Sequence, residues 1–432
     1  MNVDHPRGLS PDYDALVLDD RVHGDIYRSA EIFEQEMERI FHRGWVYVGH
    51  ESELPEPGDY RTSWVGRHPI ILSRDEDGQI HALINRCRHR AATVCQAERG
   101  SSHVFRCPYH GWTYRNNGNL IGVPYEDGYG PDFDRSERGL TPVPDLAAYR
   151  GFLFARLTED GPSLESHLGK PAMEQIDLFC DLSPTGAIDL RAGTHRYGYD
   201  GNWKLQVENS IDGYHPNFTH QAFLQLTQQQ VGLKMTVFEG GSSGRNRDLG
   251  GGHTLLDSRE FARTDPLAER RLELIQHMAK PYWEALVKRH GETRAEELLR
   301  INGTHMNIFP NLVILQYQVR VVRPVRVDRT EIHVQPALLA GVPEAINTMR
   351  LRMHEQFYGP AGGGNPDDLE MFERVQTGLG ASLDPWLHIG RGLHREERSS
   401  DGTLVGQMTD EVAQRGILGH WRDVMRDDGE GG

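Results

Sequence analysis

The chain has 432 residues, a formal net charge of −16 and 37% hydrophobic residues. That length fits two or three domains. No apolar run is long enough to span a membrane, and the acidic balance argues against nucleic acid and anionic membranes as partners. The first residues, Met1 to Pro6, lack the charged and apolar regions of a signal peptide, so a cytoplasmic location is expected.

Residues 25–42 carry Ile26, Ile32, Phe33, Met37, Ile40 and Phe41 at helical spacing, which predicts a helix packed on the body of the protein. From Trp45 to about Leu157 the texture changes to short β-like runs such as 69–72 and 81–84. Turn signals at 56–59, 75–78 and 116–119 separate them. Residues 151–155 read as the closing strand of a small antiparallel domain. After Gly161 and Pro162 a second unit mixes helical stretches (164–182, and 266–300 interrupted at Pro281) with strands. Residues 312–322 predict one strand, with Leu312, Ile314, Gln316, Gln318 and Arg320 on one face and Val313, Leu315, Tyr317, Val319 and Val321 on the other. Residues 331–336 are expected to pair beside it. The Gly- and Ser-rich run 239–252 is expected to be a mobile loop, and 427–432 a disordered tail.

Chemistry is written most densely in the first unit. Cys87-Arg88-His89 is followed, after seventeen residues, by Cys107-Pro108-Tyr109-His110. Two loops that each donate one sulfur and one nitrogen are what a Rieske [2Fe-2S] cluster needs, with two thiolates on one iron and two imidazoles on the other. A structural zinc site built from two cysteines and two histidines uses the same atoms. Zinc-finger spacing groups the two Cys and the two His, whereas here they are mixed, which favours the cluster. Cys95 and Cys180 are left over and are expected as free buried thiols.

A second constellation runs from Asn202 to His220: Asn-Trp-Lys-Leu-Gln-Val-Glu-Asn-Ser-Ile-Asp-Gly-Tyr-His-Pro-Asn-Phe-Thr-His. His215 and His220 are close enough to share one metal, and Asp212 precedes His215 by a helical turn. Asn209 is a candidate polar group of the same site. Two His and one carboxylate on one face of iron(II) leave positions open for oxygen and substrate. Taken alone, His-x4-His is more often ordinary polar structure, and many distant carboxylates compete for the third place. Beside a one-electron carrier it gains weight, because the electrons need a destination.

From about Phe41 to about Gly392 the chain resembles the large (α) subunits of Rieske non-heme iron aromatic ring-hydroxylating oxygenases. The resemblance implies an α+β fold, with an N-terminal Rieske-type antiparallel β domain and a catalytic domain built on a large antiparallel sheet flanked by helices. The corresponding boundaries are 1–42 for an N-terminal helical segment packed on the catalytic domain, 43–160 for the Rieske domain, 161–426 for the catalytic domain and 427–432 for the tail. It implies that Cys87, His89, Cys107 and His110 hold the cluster. It also implies that His215, His220 and an Asp of the run 357–368 hold the mononuclear Fe(II). Asp368 is the expected ligand and Asp367 its one-residue alternative; N-capping of a helix after Pro366 is the other role such a pair can take. Asp212 is implied as an electron bridge between subunits of an α3 ring, accepting hydrogen bonds from His110 of one subunit and His215 of the next, with a helix cap as the alternative.

There is no G-x-G-x-x-G after a strand and no flavin fingerprint. The chain is therefore expected to receive electrons from NAD(P)H only through a separate reductase, with or without a ferredoxin. O2 is the co-substrate, and the expected assembly is α3 or α3β3 with a small β subunit. The texture around 49–60, 200–215 and 359–369 is closer to relatives that act on aromatic carboxylates such as benzoate, anthranilate, salicylate or terephthalate, which predicts cis-dihydroxylation of an aromatic acid. Monohydroxylation of an acid such as salicylate, a neutral aromatic substrate, and a Rieske electron carrier without catalytic iron are the alternatives. An anionic substrate calls for an Arg in an apolar pocket, and Arg320 and Arg391 are the candidates, each with a surface ion pair as its alternative.

Overall fold

Short β-branched and aromatic runs divided by tight turns fold into three small antiparallel sheets in the first part of the chain. The computed structural model describes residues 11–231 and 243–426. Ten strands matter here: β1 (Val46–His50), β2 (Asp59–Val65), β3 (His68–Arg74), β4 (Ile80–Ile84), β5 (Arg99–Ser101), β6 (Val104–Arg106), β7 (Thr113–Arg115), β8 (Leu120–Gly122), β9 (Asp145–Tyr149) and β10 (Phe152–Arg156). They pair in the orders β4-β3-β2-β5, β6-β7-β8 and β9-β10-β1. The loop 85–98 joins β4 to β5, and the loop 107–112 joins β6 to β7. Ile71, Leu83, Phe105, Trp112, Tyr114 and Leu120 form a core behind both loops, so flexible segments stand on a rigid base.

The second part is organised by a nine-stranded antiparallel sheet. Its strands are β11 (His195–Tyr199), β12 (Arg245–Gly250), β13 (His253–Asp257), β14 (His305–Ile308), β15 (Leu312–Leu315), β16 (Gln318–Arg326), β17 (Arg329–Pro336), β18 (Glu397–Arg398) and β19 (Leu404–Gln407), in the order β11-β17-β16-β15-β14-β13-β12-β19-β18. Eight of the helices among the described residues bear on the site: α1 (Ala30–Glu36), α2 (Leu164–Cys180), α3 (Trp203–Ser210), α4 (Pro216–Thr219), α5 (Gln221–Val231), α6 (Glu344–Tyr358), α7 (Asn365–Gly378) and α8 (Val412–Arg426). The sheet separates two cores. Trp203, Val207, Val313, Leu315, Ile417 and Trp421 lie on one side, and Phe179, Leu272, Leu286, Leu298, Leu312 and Ile314 on the other. At roughly 1.5–3 kcal/mol for each fully buried large apolar side chain, these two layers hold the sheet between its helices.

The expected helix over 25–42 is broken once. Ser29 is extended (ψ 119°), and its hydroxyl accepts the Ile32 N–H to cap α1, which runs on into a wider turn over Met37–His42. The stretch 266–300 forms three helices, Pro266–Met278, Lys280–His290 and Glu292–Ile301, with Pro281 at the start of the second where a missing N–H costs nothing.

Two expectations are corrected. Residues 312–322 are a hairpin, with β15 and β16 joined by a turn at Gln316 (φ +37°) and Tyr317. The turn reverses the parity of the alternation: Arg320 pairs with Val313 and Gln318 with Leu315. Arg320 therefore leaves the Leu312–Ile314 face and lies on the face covered by α3. The Gly-rich run is the second case. Arg245 to Gly250 is strand β12, held between β13 and β19. Gly250, Gly251 and Gly252 all have positive φ and make the tight hairpin into β13, so the glycines mark a turn and not a mobile segment. Residues 239–242 and 427–432 lie outside the described residues.

One buried charge cluster fixes where α3 begins. Glu36 is fully buried and accepts the indole N–H of Trp203 (2.9 Å) and of Trp421 (2.7 Å) together with the Lys204 ammonium. Lys204 is itself ringed by Tyr27, Trp203 and Trp421. A buried ion pair needs compensating contacts, which the two indole N–H groups supply to Glu36 and the three ring faces to Lys204.

Candidate active site

The two cluster loops repeat one backbone design. The Cys87 N–H donates to the Ala92 carbonyl and the Ala91 N–H to the Cys87 carbonyl; in the second loop Cys107 pairs with Trp112, and Gly111 with Cys107, in the same pattern. The fifth residue of each has positive φ, Ala91 at +62° and Gly111 at +74°. Each loop thus turns its Cys and His to one side. Cys87 and Cys107 are buried, and neither forms a disulfide. The rings of His89 and His110 lie 4.5 Å apart, and His89 stacks on Trp112 at 5.3 Å. The Tyr114 hydroxyl accepts the Arg88 N–H at 3.1 Å and stands 3.2 Å from Cys87 Sγ, able to donate to a thiolate. His89 Nδ1 is buried without a partner, and burial, then the neighbouring His110, keep this imidazole below its usual pKa. Two buried thiols, two adjacent imidazoles and an orphaned ring nitrogen are a donor set that fits a [2Fe-2S] cluster. Cys95 and Cys180 are free and buried, as expected, and burial raises the Cys180 thiol to about 12.

The second site assembles where α3 stops. The Asn202 side chain caps α3, which ends at Ile211; Pro216 then starts α4, so His215 and His220 flank a single turn. Pro366 likewise starts α7 and carries Asp367 and Asp368 into its first turn. Asp368 Oδ1 lies 3.3 Å from His220 Nε2 and 3.6 Å from His215 Nε2. The three ligand atoms converge within 4.8 Å. Asp367 is different: its half-exposed carboxylate approaches only His220 Nδ1, at 3.6 Å. Neither Asp caps α7 with its side chain.

Electrostatics make this a place that attracts a cation. Burial pushes Asp368 up, opposed by His215, His220 and Arg320. Burial pulls His220 down more strongly than Asp368 raises it. His215 is pulled down by burial, but Asp212 and Asp368 outweigh this and leave it raised. The Nδ1 atoms of both histidines are buried without hydrogen bonds among the described residues. Two imidazoles and one carboxylate converging within 4.8 Å are a donor set that fits a non-heme iron of the facial-triad type.

Asn209 and Asp212 sit around this triad. The Asn209 amide is 3.3 Å from both His215 Nε2 and Asp368 Oδ1. Asp212 accepts the Tyr214 N–H at 2.6 Å, and its other oxygen is 3.2 Å from His215 Nδ1, outside hydrogen-bond geometry.

The two candidate arginines separate. Arg320 is 3% exposed; among the described residues its Nη1 reaches only the Ser210 hydroxyl, at 3.4 Å, and its Nε has no partner. Its charge lowers Tyr197, Tyr358 and Asp368 against the effect of burial. Arg391 is exposed, lies over the Tyr214 ring at 4.0 Å and donates to the Thr409 carbonyl, so it is not the buried arginine that an anionic substrate calls for. Residues that sequence reading missed include Tyr197, whose hydroxyl donates to Asn365 Oδ1 at 2.9 Å, and His305, whose ring bonds the Ser210 carbonyl. Phe357, whose ring packs on His220 at 5.2 Å, is another. His305 lies on a strand some 85 residues beyond the motif, and Tyr197 sits on the strand just before it, where a strand tyrosine carries no ligand signature.

A cluster-binding β unit joined to a sheet that carries a triad of two histidines and an aspartate defines a two-metal oxygenase component. Residues 44–144 match the family model described as the Rieske [2Fe-2S] domain, and residues 189–426 match the catalytic domain of ring-hydroxylating α subunits. The chain is 35% identical over 383 residues to the anthranilate 1,2-dioxygenase large subunit of Acinetobacter baylyi, covering 87% of this chain and 81% of that one. It is 36% identical over 394 residues to the toluate 1,2-dioxygenase α subunit of Pseudomonas putida, covering 86% and 83%. The fold superposes on a naphthalene 1,2-dioxygenase from Rhodococcus sp. bound to indole with a TM-score of 0.80 at 29% identity, covering 94% of both chains. The chain belongs to the ring-hydroxylating oxygenase α subunits. Its cofactors are accordingly a Rieske [2Fe-2S] cluster, which sets aside the zinc alternative, and a non-heme iron. Among the described residues no helix is long and apolar enough to cross a membrane.

Proposed function

We propose that this chain is the oxygenase large subunit that hydroxylates the ring of an aromatic carboxylate, giving a cis-dihydrodiol, with O2 and electrons from NAD(P)H delivered by a separate reductase. Arg320 carries the substrate class. It is a buried guanidinium with no ion pair to a carboxylate among the described residues, beside the triad and on the face covered by α3. An unpaired buried charge is costly, and an incoming carboxylate would satisfy it through two directional hydrogen bonds. A neutral hydrocarbon would leave it orphaned.

In this reading Cys87, His89, Cys107 and His110 hold the cluster, and His215, His220 and Asp368 hold the iron, within a Rieske domain of 43–160 and a catalytic domain of 161–426. When bound, the iron supplies the reductive activation of O2. The chain's own residues do the positioning. Arg320 orients the acid so that the ring, not the carboxylate, faces the triad. Asn209 limits how far the His215 and Asp368 side chains can move, and Phe357 supplies an apolar wall beside His220. Asp212, 3.2 Å from His215 Nδ1, supplies negative charge beside that ring and, in an α3 or α3β3 ring, connects it to His110 of the neighbouring subunit. The relatives named for anthranilate and toluate support the acid class.

The test is oxygen uptake with product analysis, using a surrogate reductase and a panel of benzoate, anthranilate, salicylate, toluene and naphthalene. The proposal expects coupled product from at least one acid. Turnover confined to the two hydrocarbons would sink it, and a phenol instead of a diol would move the reaction to monohydroxylation.

A further inference from the structure

A second group of ligand-type side chains stands apart from both cofactor sites. His195 opens β11, and His354 and Glu355 are neighbours in the last turn of α6. His195 Nε2 lies 2.7 Å from Glu355 Oε1, and His354 Nε2 lies 3.8 Å from the same oxygen. The two imidazoles stack at 5.7 Å with 10° between their planes, and one ligand atom from each of the three residues lies within 4.8 Å of the others.

The His195–Glu355 contact could be only a surface ion pair, worth about 0–1 kcal/mol. That account leaves His354 unexplained. Its side chain is completely buried, and neither ring nitrogen has a hydrogen-bond partner among the described residues. An orphaned buried polar group costs about 1–3 kcal/mol, so an imidazole placed this way needs a reason. Its Nε2 lies 3.8 Å from the carboxylate oxygen that His195 already contacts.

We infer that His195, His354 and Glu355 form a second binding site for a divalent transition metal of the zinc class. Two imidazoles and one carboxylate are ligands for zinc, nickel or copper and poor ones for magnesium or calcium. Ligands about 2.0–2.2 Å from a tetrahedral ion stand about 3.3 Å from each other. The observed 2.7 and 3.8 Å bracket that spacing, so small side-chain rotations close the site. His354 is held neutral, as a ligand must be: burial lowers it to about 4. The side chains of Glu355, 53% exposed, and His195, 34% exposed, leave an entry path and a coordination position for water.

The site grips two segments that lead to Asp368. Tyr197, two residues beyond His195 on β11, donates to Asn365 at the start of α7. From the other side, α6 runs through residues 359–364 into the same helix. A metal here would clamp α6 to β11 and steady the base of α7.

The experiment titrates iron-loaded holoenzyme, cluster intact, with zinc chloride by calorimetry, and measures iron content before and after. One zinc per chain is expected in addition to the native iron. Glu355→Gln and His195→Gln should each weaken it at least tenfold, since even outer-shell partners of a metal are worth about 10–100-fold. Both substitutions are at exposed or half-exposed positions, so the fold should hold, and an unchanged cluster spectrum checks this. The inference is overturned if the wild type takes up no zinc, if zinc uptake is matched by iron release, or if either variant binds zinc as tightly as the wild type.

Discussion

The Arg320 guanidinium and the Ser210 hydroxyl meet at 3.4 Å, and this is the only hydrogen bond the buried cation makes among the described residues. Ser210 ends α3 while Arg320 sits on β16, so their contact places a positive charge at the seam between motif helix and sheet. A serine hydroxyl does not neutralise a guanidinium. In the proposed function this cation is the group that meets the substrate carboxylate.

Arg320→Gln should therefore separate acids from neutral substrates. A charge-assisted pair in a buried site is worth about 3 kcal/mol, so kcat/KM for the preferred aromatic acid should fall roughly 100-fold, mostly through KM. Turnover of the corresponding amide should change little. Steady-state kinetics on the acid and its amide decide it: equal losses on both would make Arg320 a structural residue.

The two neighbouring aspartates should differ in kind. Asp368→Ala removes the carboxylate that faces both imidazoles and should abolish oxygenation and iron retention while the cluster's visible spectrum stays intact. Asp367→Ala removes only a contact to the outer nitrogen of His220. Its cost should be about 10–100-fold in activity or iron affinity. Metal analysis together with oxygen uptake distinguishes them, and a dead Asp367→Ala beside an active Asp368→Ala would move the ligand by one residue.

Asp212→Asn keeps the side chain's size and its acceptance of the Tyr214 N–H but loses the charge beside His215. Both metals should load, and a reductant should still reduce the cluster. Electron transfer from reduced cluster to the substrate-loaded site should collapse in single-turnover experiments. A simple cap would instead cost about 1 kcal/mol of stability and leave that rate alone. Stopped-flow reoxidation at the wild-type rate in a fully metallated variant would eliminate the bridge.

The ease of reading the two metal sites from sequence followed the distance between their ligands. Cys87 and His89, like Cys107 and His110, are two or three residues apart on one turn, so spacing alone carries the geometry. His215 and His220 share a single helical turn, but Asp368 joins them across some 150 residues, and only resemblance pointed to it. Arg320 was named for its charge but placed on the wrong face. Its hairpin turns at Gln316 and Tyr317, neither of which signals a turn, and alternation read through a hidden turn inverts every residue beyond it. The run 250–252 failed in the opposite sense, because three glycines that make one tight turn look like the composition of a loop. His354 and Glu355 carried no signal at all, since their partner His195 comes from a distant strand.

Glu208 gives the pH dependence. Its carboxyl accepts the Tyr27 hydroxyl at 2.9 Å, and burial raises it from 4.5 to about 7, with Glu411 and Asp212 adding to the rise and Tyr27 and Lys204 opposing it. A carboxyl with a folded pKa above its unfolded value binds its proton more tightly when folded. Its stabilising contribution is complete below about pH 4.5 and is lost as pH rises through about 7. Glu208→Gln keeps the acceptor for Tyr27 and never ionises, so it escapes that loss. Relative to wild type, the variant should gain on the order of 2 kcal/mol between pH 5 and pH 8, a figure reduced from the full shift because the side chain is partly exposed. Scanning calorimetry of both holoenzymes at the two pH values measures it as a difference in Tm that widens toward pH 8. A difference that stays constant across that range would mean that Glu208 is already ionised at pH 5, and that its bond to Tyr27 is made by a carboxylate throughout.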